Sequence, residues 1–213
     1  MRVAMVLVHR AGRLLPHAVA LLGLALGSSL SSSARAEAYT YRLEPAATAI
    51  RFVVGATMHK VRGTAALERG EIRFDGQTGA AEGEVVIDAA SLETGNAKRD
   101  RDMHEAVLES AEFPEIVLVV VGFEGDFDPA APSDVVVDAR LRIHGGEHPL
   151  RLEARLEPRD GRLAATTTFV VPYVEWGMEN PSRLLLRVGK EVTVTIEAQG
   201  ALTREGTAGA EAR

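Results

Sequence analysis

The sequence predicts an all-β domain: an antiparallel β-barrel of about eight strands with one short polar helix inserted. Three observations carry that reading. Most of the chain from Tyr39 to Ala201 alternates apolar and polar residues with a period of two, which puts every second side chain on one face. Glycine turn pairs (Asp75-Gly76, Gly145-Gly146, Asp160-Gly161) separate the alternating runs. One stretch, Ser91 to Phe113-Pro114, breaks the period with dense charge and helix formers.

The first thirty-odd residues are set aside. Arg2, Arg10 and Arg13 lead an apolar run from Leu14 to Leu30, and Ser31-Ser32-Ser33-Ala34-Arg35-Ala36 ends in small-residue cleavage patterns. That predicts a secretory signal peptide over residues 1–36, cut near Ala36 or Ala38, and a periplasmic or secreted protein. Pro16 and His17 interrupt the apolar run, which falls short of the ~20 residues a membrane span needs. Export without an integral span follows as an expectation.

Within 37–202, Tyr39, Tyr41 and Leu43 form one alternating segment and Ile50, Phe52 and Val54 the next. Gly70 to Phe74 is a short strand, and Gly83 to Ala89 leads into the polar insert. There Thr94 and Asn96 are candidate caps, while Met103, Ala106 and Val107 recur at helical spacing and can lie on apolar surface. Asp100 and His104 share a face, as do Arg101 and Glu105. Ile116 to Val121 is a continuous β-branched run, read as a strand with little solvent exposure.

The second half fixes register. A two-residue turn at Gly145-Gly146 pairs Ile143 with His148 and Leu141 with Leu150, which puts His148 inside and His144 outside. Asp160-Gly161 pairs Pro158 with Leu163 and Ala154 with Thr167, and Leu163, Ala165, Thr167, Phe169 and Val171 continue the inner face. Val192, Val194, Ile196 and Ala198 form the last strand, and residues 203–213 lack an apolar pattern and are read as a disordered tail. The inward-facing Ala139, Ala154, Ala165 and Thr167 either leave room for a ligand or face bulky partners in a packed interior.

Composition excludes some functions. The formal charge is −6, and residues 1–36 hold four arginines and no acid, so the remainder stands at −10. So acidic a chain repels phosphate backbones, which argues against nucleic acid. Cysteine is absent, so there are no disulfides or thiolate metal sites. His144 and His148 fall on opposite faces and no His-Glu-x-x-His spacing occurs, so no metal or cofactor site is expected. No Gly-x-Ser-x-Gly and no glycine-rich phosphate loop occurs, and no catalytic residue is assigned.

Three motifs resemble the YceI-like family of exported polyisoprenoid-binding proteins. Ser91-Leu92-x-Thr94-x-Asn96-x-x-Arg99-Asp100 followed by Phe113-Pro114 is similar to the family's Ser-x-x-Thr-x-Asn-x-x-Arg-Asp and aromatic-Pro pair. Leu141 to Leu150 is similar to its Pro-containing hairpin, and His59-Lys60-Val61-Arg62-Gly63 to its His-x-Val-x-Gly. Two stretches depart from the family: the link from helix to Phe113 is short, and Pro172 to Ser182 differs from its Phe-Gly loop.

The resemblance implies a lipocalin-like barrel holding an isoprenoid or prenyl-quinone-type lipid, with no catalysis. Phe52, Val54, Phe169, Val171, Tyr173 and Trp176 are then candidate wall residues, with the inward His148 beside them. Arg99 and Asp100 either meet a polar head group or cap the helix and tie it to the barrel. Tyr173 and Trp176 either line the mouth or pack an edge. Two rival functions stand beside lipid binding: a lipid hydrolase or isomerase, and a packed structural or stress-response envelope protein.

Overall fold

Alternation at period two becomes a closed sheet. The computed structural model describes residues 37–57, 59–183 and 187–205, so the leader expected over residues 1–36 and the stretch 206–213 lie outside it. Ten strands run β1 (Ala38–Leu43), β2 (Ala49–Ala56), β3 (Lys60–Ala65), β4 (Leu67–Asp75), β5 (Ala80–Asp88), β6 (Glu115–Glu124), β7 (Ser133–Ile143), β8 (Gly146–Arg159), β9 (Arg162–Val171) and β10 (Val188–Arg204). All pair antiparallel in the order β1-β4-β5-β6-β7-β8-β9-β10-β2-β3, and β1 also pairs with β10, which closes the ring. Because β1 and β2 pair in tandem along β10, and β3 and β4 along that broken strand, the ten strands fill eight positions around a barrel.

The breaks have local causes. Between Leu43↔Gly200 and Ala49↔Glu197, five residues oppose two, and the surplus is a 3-10 turn at Pro45–Ala47. An odd surplus of three flips the inward set from Tyr39, Tyr41 and Leu43 to Ile50, Phe52 and Val54. A bulge between Leu67 and Arg69 flips the next strand likewise, from Val61 and Leu67 to Gly70 and Phe74.

Both hairpins that set register are present. Asp160 and Gly161 take φ of 50° and 73° and pair Pro158 with Leu163 and Ala154 with Thr167, as expected. The β7–β8 turn sits one residue earlier than expected, on His144 (φ 50°) and Gly145 (φ 72°). It therefore pairs Ile143 with Gly146 and Leu141 with His148. The shift is two residues in register, so His148 keeps its inward face. His144 is held in the turn by Glu109, whose Oε2 lies 2.6 Å from its Nε2, and by the Phe113 ring at 4.8 Å.

Three further expectations are adjusted. β10 runs on to Arg204 because Thr203 and Arg204 pair with Thr40 and Tyr39, so the strand enters the segment read as tail. Val121 is 44 % exposed, since a register shift follows Val120 and turns it outward. Conversely Val86 and Val117 face outward yet are buried, lying in one cross-strand row between Arg69 and Arg142. The arginine stems cover them while their guanidinium groups pair with Glu115, Glu84 and Glu147.

The two ends of the barrel differ. At the end formed by β1 and the β4–β5 turn, Tyr39, Phe74, Phe123 and Phe127 stack with ring centroids 5.0–5.9 Å apart. Leu43, Val85, Leu118, Leu152 and Leu163 fill the middle. Aromatic plug and aliphatic layer together close the lumen from that side. At the other end β2 and β3 continue beyond β1 and β4, and the barrel is hollow.

An apolar cavity at the open end of the barrel

The cavity has a volume of about 480 Å³. Its walls come from the inward residues of β2 (Ile50, Phe52, Val54, Ala56), β9 (Phe169, Val171) and β10 (Val188, Val192, Val194). Ile87, Ile116 and Leu141 form the floor above the packed layer. Gly63 lies opposite Phe52 across the β2–β3 ladder, and a Cβ there would collide with the Phe52 ring and the Glu93 carbonyl. Glycine at this position lets the ring lie flat as wall, the physical content of the His-x-Val-x-Gly pattern.

Between β3 and β5 the wall is the insert, which supplies Leu92, Met103, Val107 and Leu108. It is built by its own polar side chains. Ser91 Oγ accepts from the Ala66 amide at 2.8 Å, and Glu93 and Thr64 exchange both backbone hydrogen bonds. Asn96 caps α1 (Ala97–Asp102) by accepting from the Arg99 amide at 3.0 Å. Thr94 is the hub: its amide donates to Asp100 Oδ1 at 2.9 Å and its hydroxyl to the same oxygen. Arg99 Nε donates to Thr94 Oγ1 at 2.7 Å and Nη2 to its carbonyl at 3.1 Å. Burial alone would raise the Asp100 pKa, but the Thr94 hydroxyl and amide and the Asn96 amide outweigh it and hold the carboxyl below its usual range. Every polar residue of the first motif thus has a hydrogen-bond partner in or beside the motif, which is the capping and tying role. A single π-helical turn, Met103–Val107, follows α1 and carries Met103 and Val107 to the cavity. The helix is therefore shorter than the charged stretch.

The remaining wall replaces missing sheet. Pairing of β8 with β9 stops at Ala154↔Thr167, although both strands run on. Among the described residues β8 contributes none to the cavity, and Pro172–Met178 stands in its place with Tyr173 and Met178 facing the lumen. The Tyr173 hydroxyl donates to the Gly189 carbonyl at 2.7 Å, and burial raises its pKa. Behind this turn Trp176 stacks on His148, with centroids 4.0 Å apart and planes 2° apart. The His148 Nε2 is buried without a hydrogen-bond partner.

Of the nine residues expected at the site, Phe52, Val54, Arg99, Phe169, Val171 and Tyr173 line one cavity. Asp100 is one step removed, under Thr94; His148 and Trp176 stand behind the wall. The small inward residues Ala139, Ala154, Ala165 and Thr167 do not line it: Ala139 is packed into the core, and β8 and β9 separate beyond Ala154. Sequence reasoning missed Leu92, Met103, Leu108, Lys98, Asp102 and Arg183. Met103 was legible as the apolar face of the helix, but the mouth residues meet only in the folded chain.

The mouth carries Lys98, Arg99, Arg183, His59 and Asp102. Asp102 accepts from Lys98 at 3.0 Å and lies 3.8 Å from Arg183, and chiefly the Lys98 bond depresses its pKa. Away from the mouth, His104 Nε2 lies 2.9 Å from the Leu92 carbonyl and Nδ1 3.0 Å from Ser110 Oγ. A carbonyl only accepts, so Nε2 carries the proton and Ser110 donates to Nδ1. The spacing is that of a nucleophile and base, but neither residue lines the cavity. Its structural effect is to pin the π turn to Leu92. No cluster of three metal-ligating side chains occurs among the described residues.

Solved structures share the architecture. Burkholderia cenocepacia BcnA is 12% identical, covering 75% of this chain and 99% of its own, at TM-score 0.61. A polyisoprenoid binding domain from Saccharophagus degradans is 18% identical, covering 76% and 98%, at TM-score 0.58. The YCEI protein of Campylobacter jejuni is 15% identical, covering 70% and 88%, at TM-score 0.51. A comparison with curated proteins finds no match. Residues 41–200, all ten strands but for a few terminal residues, match the YceI-like domain. This chain therefore belongs to the YceI-like family.

Proposed function

We propose that the protein is an exported, non-enzymatic carrier that holds an isoprenoid or other long-chain amphiphilic lipid in the cavity. The observation that carries this reading is the hollow end of the barrel: about 480 Å³ walled by Phe, Val, Ile, Leu and Met, with its polar groups gathered at the mouth. Such a space favours an apolar chain at about 0.8 kcal/mol per buried methylene, while the mouth holds the head. The Saccharophagus degradans domain of the same fold is described as polyisoprenoid binding, and membership of the family agrees with a binding role rather than a known enzyme. Export rests on the basic, apolar and small-residue grammar of residues 1–36.

The test is an organic extract of protein purified from the cell envelope without detergent. A stoichiometric lipid in its mass spectrum, with an N-terminus near Glu37 or Tyr39, is the expected result. An empty extract together with failure to take up prenyl lipids in vitro overturns the reading, and an intact Met1 on envelope material overturns export by cleavage.

A further inference from the structure

The cavity opens at one end of the barrel and its far side is shut, which limits the ligand. We propose that this chain takes a short, single-tailed amphiphile of about 15 to 20 tail carbons with an anionic head, and excludes long polyprenyl chains. The inference rests on the lipid-binding reading and narrows its ligand class.

The length of the wall sets the tail. Along β2 the wall runs from Ile50 to Ala56, six steps of about 3.3 Å, or roughly 20 Å of depth. At about 1.3 Å of projected length for each carbon–carbon bond of ~1.5 Å, an extended tail along that wall has about sixteen main-chain carbons. A longer tail cannot continue inward. Beneath Ile87, Ile116 and Leu141 lie the packed Leu43, Val85 and Leu118, and beyond them the Tyr39, Phe74, Phe123 and Phe127 plug. Extending the cavity would displace close-packed side chains, which cores resist.

The head follows from charge. Among the described residues lining the mouth, Lys98, Arg99 and Arg183 are cations and Asp102 is the one acid, with Asp100 behind Thr94 beside Arg99. Asp102 is shared between Lys98 and Arg183, so the rim keeps an excess of positive charge on a domain of formal charge −10. Arg99 is held at a fixed angle by Thr94, which leaves guanidinium N–H groups beyond those two bonds for a ligand oxygen. A phosphate or carboxylate meets that rim; a neutral alcohol or quinone oxygen gains less from it.

Calorimetry on delipidated full-length mature protein tests both limits. The ligands are geranyl, farnesyl, geranylgeranyl and solanesyl phosphates, with farnesol as the neutral partner of the second. Affinity is expected to rise at least ten-fold from geranyl to farnesyl phosphate and to level at geranylgeranyl. Solanesyl phosphate should bind at least ten-fold more weakly, and so should farnesol. Val194→Phe, which fills the cavity just above the packed layer, should move the best ligand from farnesyl to geranyl phosphate. Arg183→Glu should abolish the preference for phosphate over farnesol, and Arg183→Lys should retain it. Solanesyl phosphate binding as tightly as geranylgeranyl, or farnesol matching farnesyl phosphate, overturns the inference and leaves lipid binding standing. No binding of any member overturns both.

Discussion

Thr94 shows how a single residue holds the cavity wall. Its amide and hydroxyl both donate to one oxygen of Asp100, while its hydroxyl and carbonyl accept from Arg99. Removing the Asp100 charge should therefore loosen the insert rather than remove a ligand contact. Asp100→Asn should cost about 1 kcal/mol at neutral pH, a charge-assisted bond discounted for partial exposure. The sign with pH follows from the depressed pKa. Such a carboxylate stabilises fully above the ordinary Asp value of about 3.9 and ceases to do so as pH falls through its lower folded value. Melting curves of wild type and Asp100→Asn should thus differ at pH 7 and converge as pH falls below the ordinary Asp value; a constant gap would refute the assignment. Gly63 is the second such position. Gly63→Ala pushes a methyl into the Phe52 ring and the Glu93 carbonyl, and urea unfolding should show a loss of about 1–3 kcal/mol.

At the scale of elements, the chain divides labour between strands that repeat and segments that do not. Strand faces were legible because period two survives burial of one side, and the Asp160-Gly161 register followed from its turn chemistry alone. The β7–β8 turn was displaced because His144 gains Glu109 and Phe113 there, long-range partners that no dipeptide rule includes. The cavity wall was half legible: Phe52, Val54, Phe169 and Val171 follow from alternation, whereas Tyr173 and Met178 do so only once β8 and β9 part. Small inward residues could not decide between room and packing, because a void depends on where strands separate and not on side-chain size alone. The aromatic plug is an element in its own right. Phe127→Ala removes a ring packed against Tyr39 and Phe74 and should cost about 3–5 kcal/mol. Calorimetry on the same variant should find farnesyl phosphate affinity unchanged, since the packed middle layer separates plug from cavity.

For the whole molecule, one barrel serves two purposes because its two ends are filled differently. The end closed by the plug supplies stability through apolar burial, and the open end leaves apolar wall without a protein partner. An outer face of cross-strand pairs such as Arg42–Glu71, Arg51–Glu197 and Arg162–Glu44 keeps the sheet surface polar, each pair worth little singly. Overpacking separates the two ends. Val192 lines the cavity, and Ala198, on the same strand and the same inward face, is packed. Ala198→Phe should lower stability by about 1–3 kcal/mol, or several degrees in a domain of this size. The deciding measurement is the melting temperature of delipidated Val192→Phe with and without added farnesyl phosphate. The account predicts that the lipid-free variant melts with the wild type, and that the lipid raises the wild-type melting temperature but not the variant's. A lipid-free variant that melts as low as Ala198→Phe, yet is still raised by lipid as the wild type is, would contradict it.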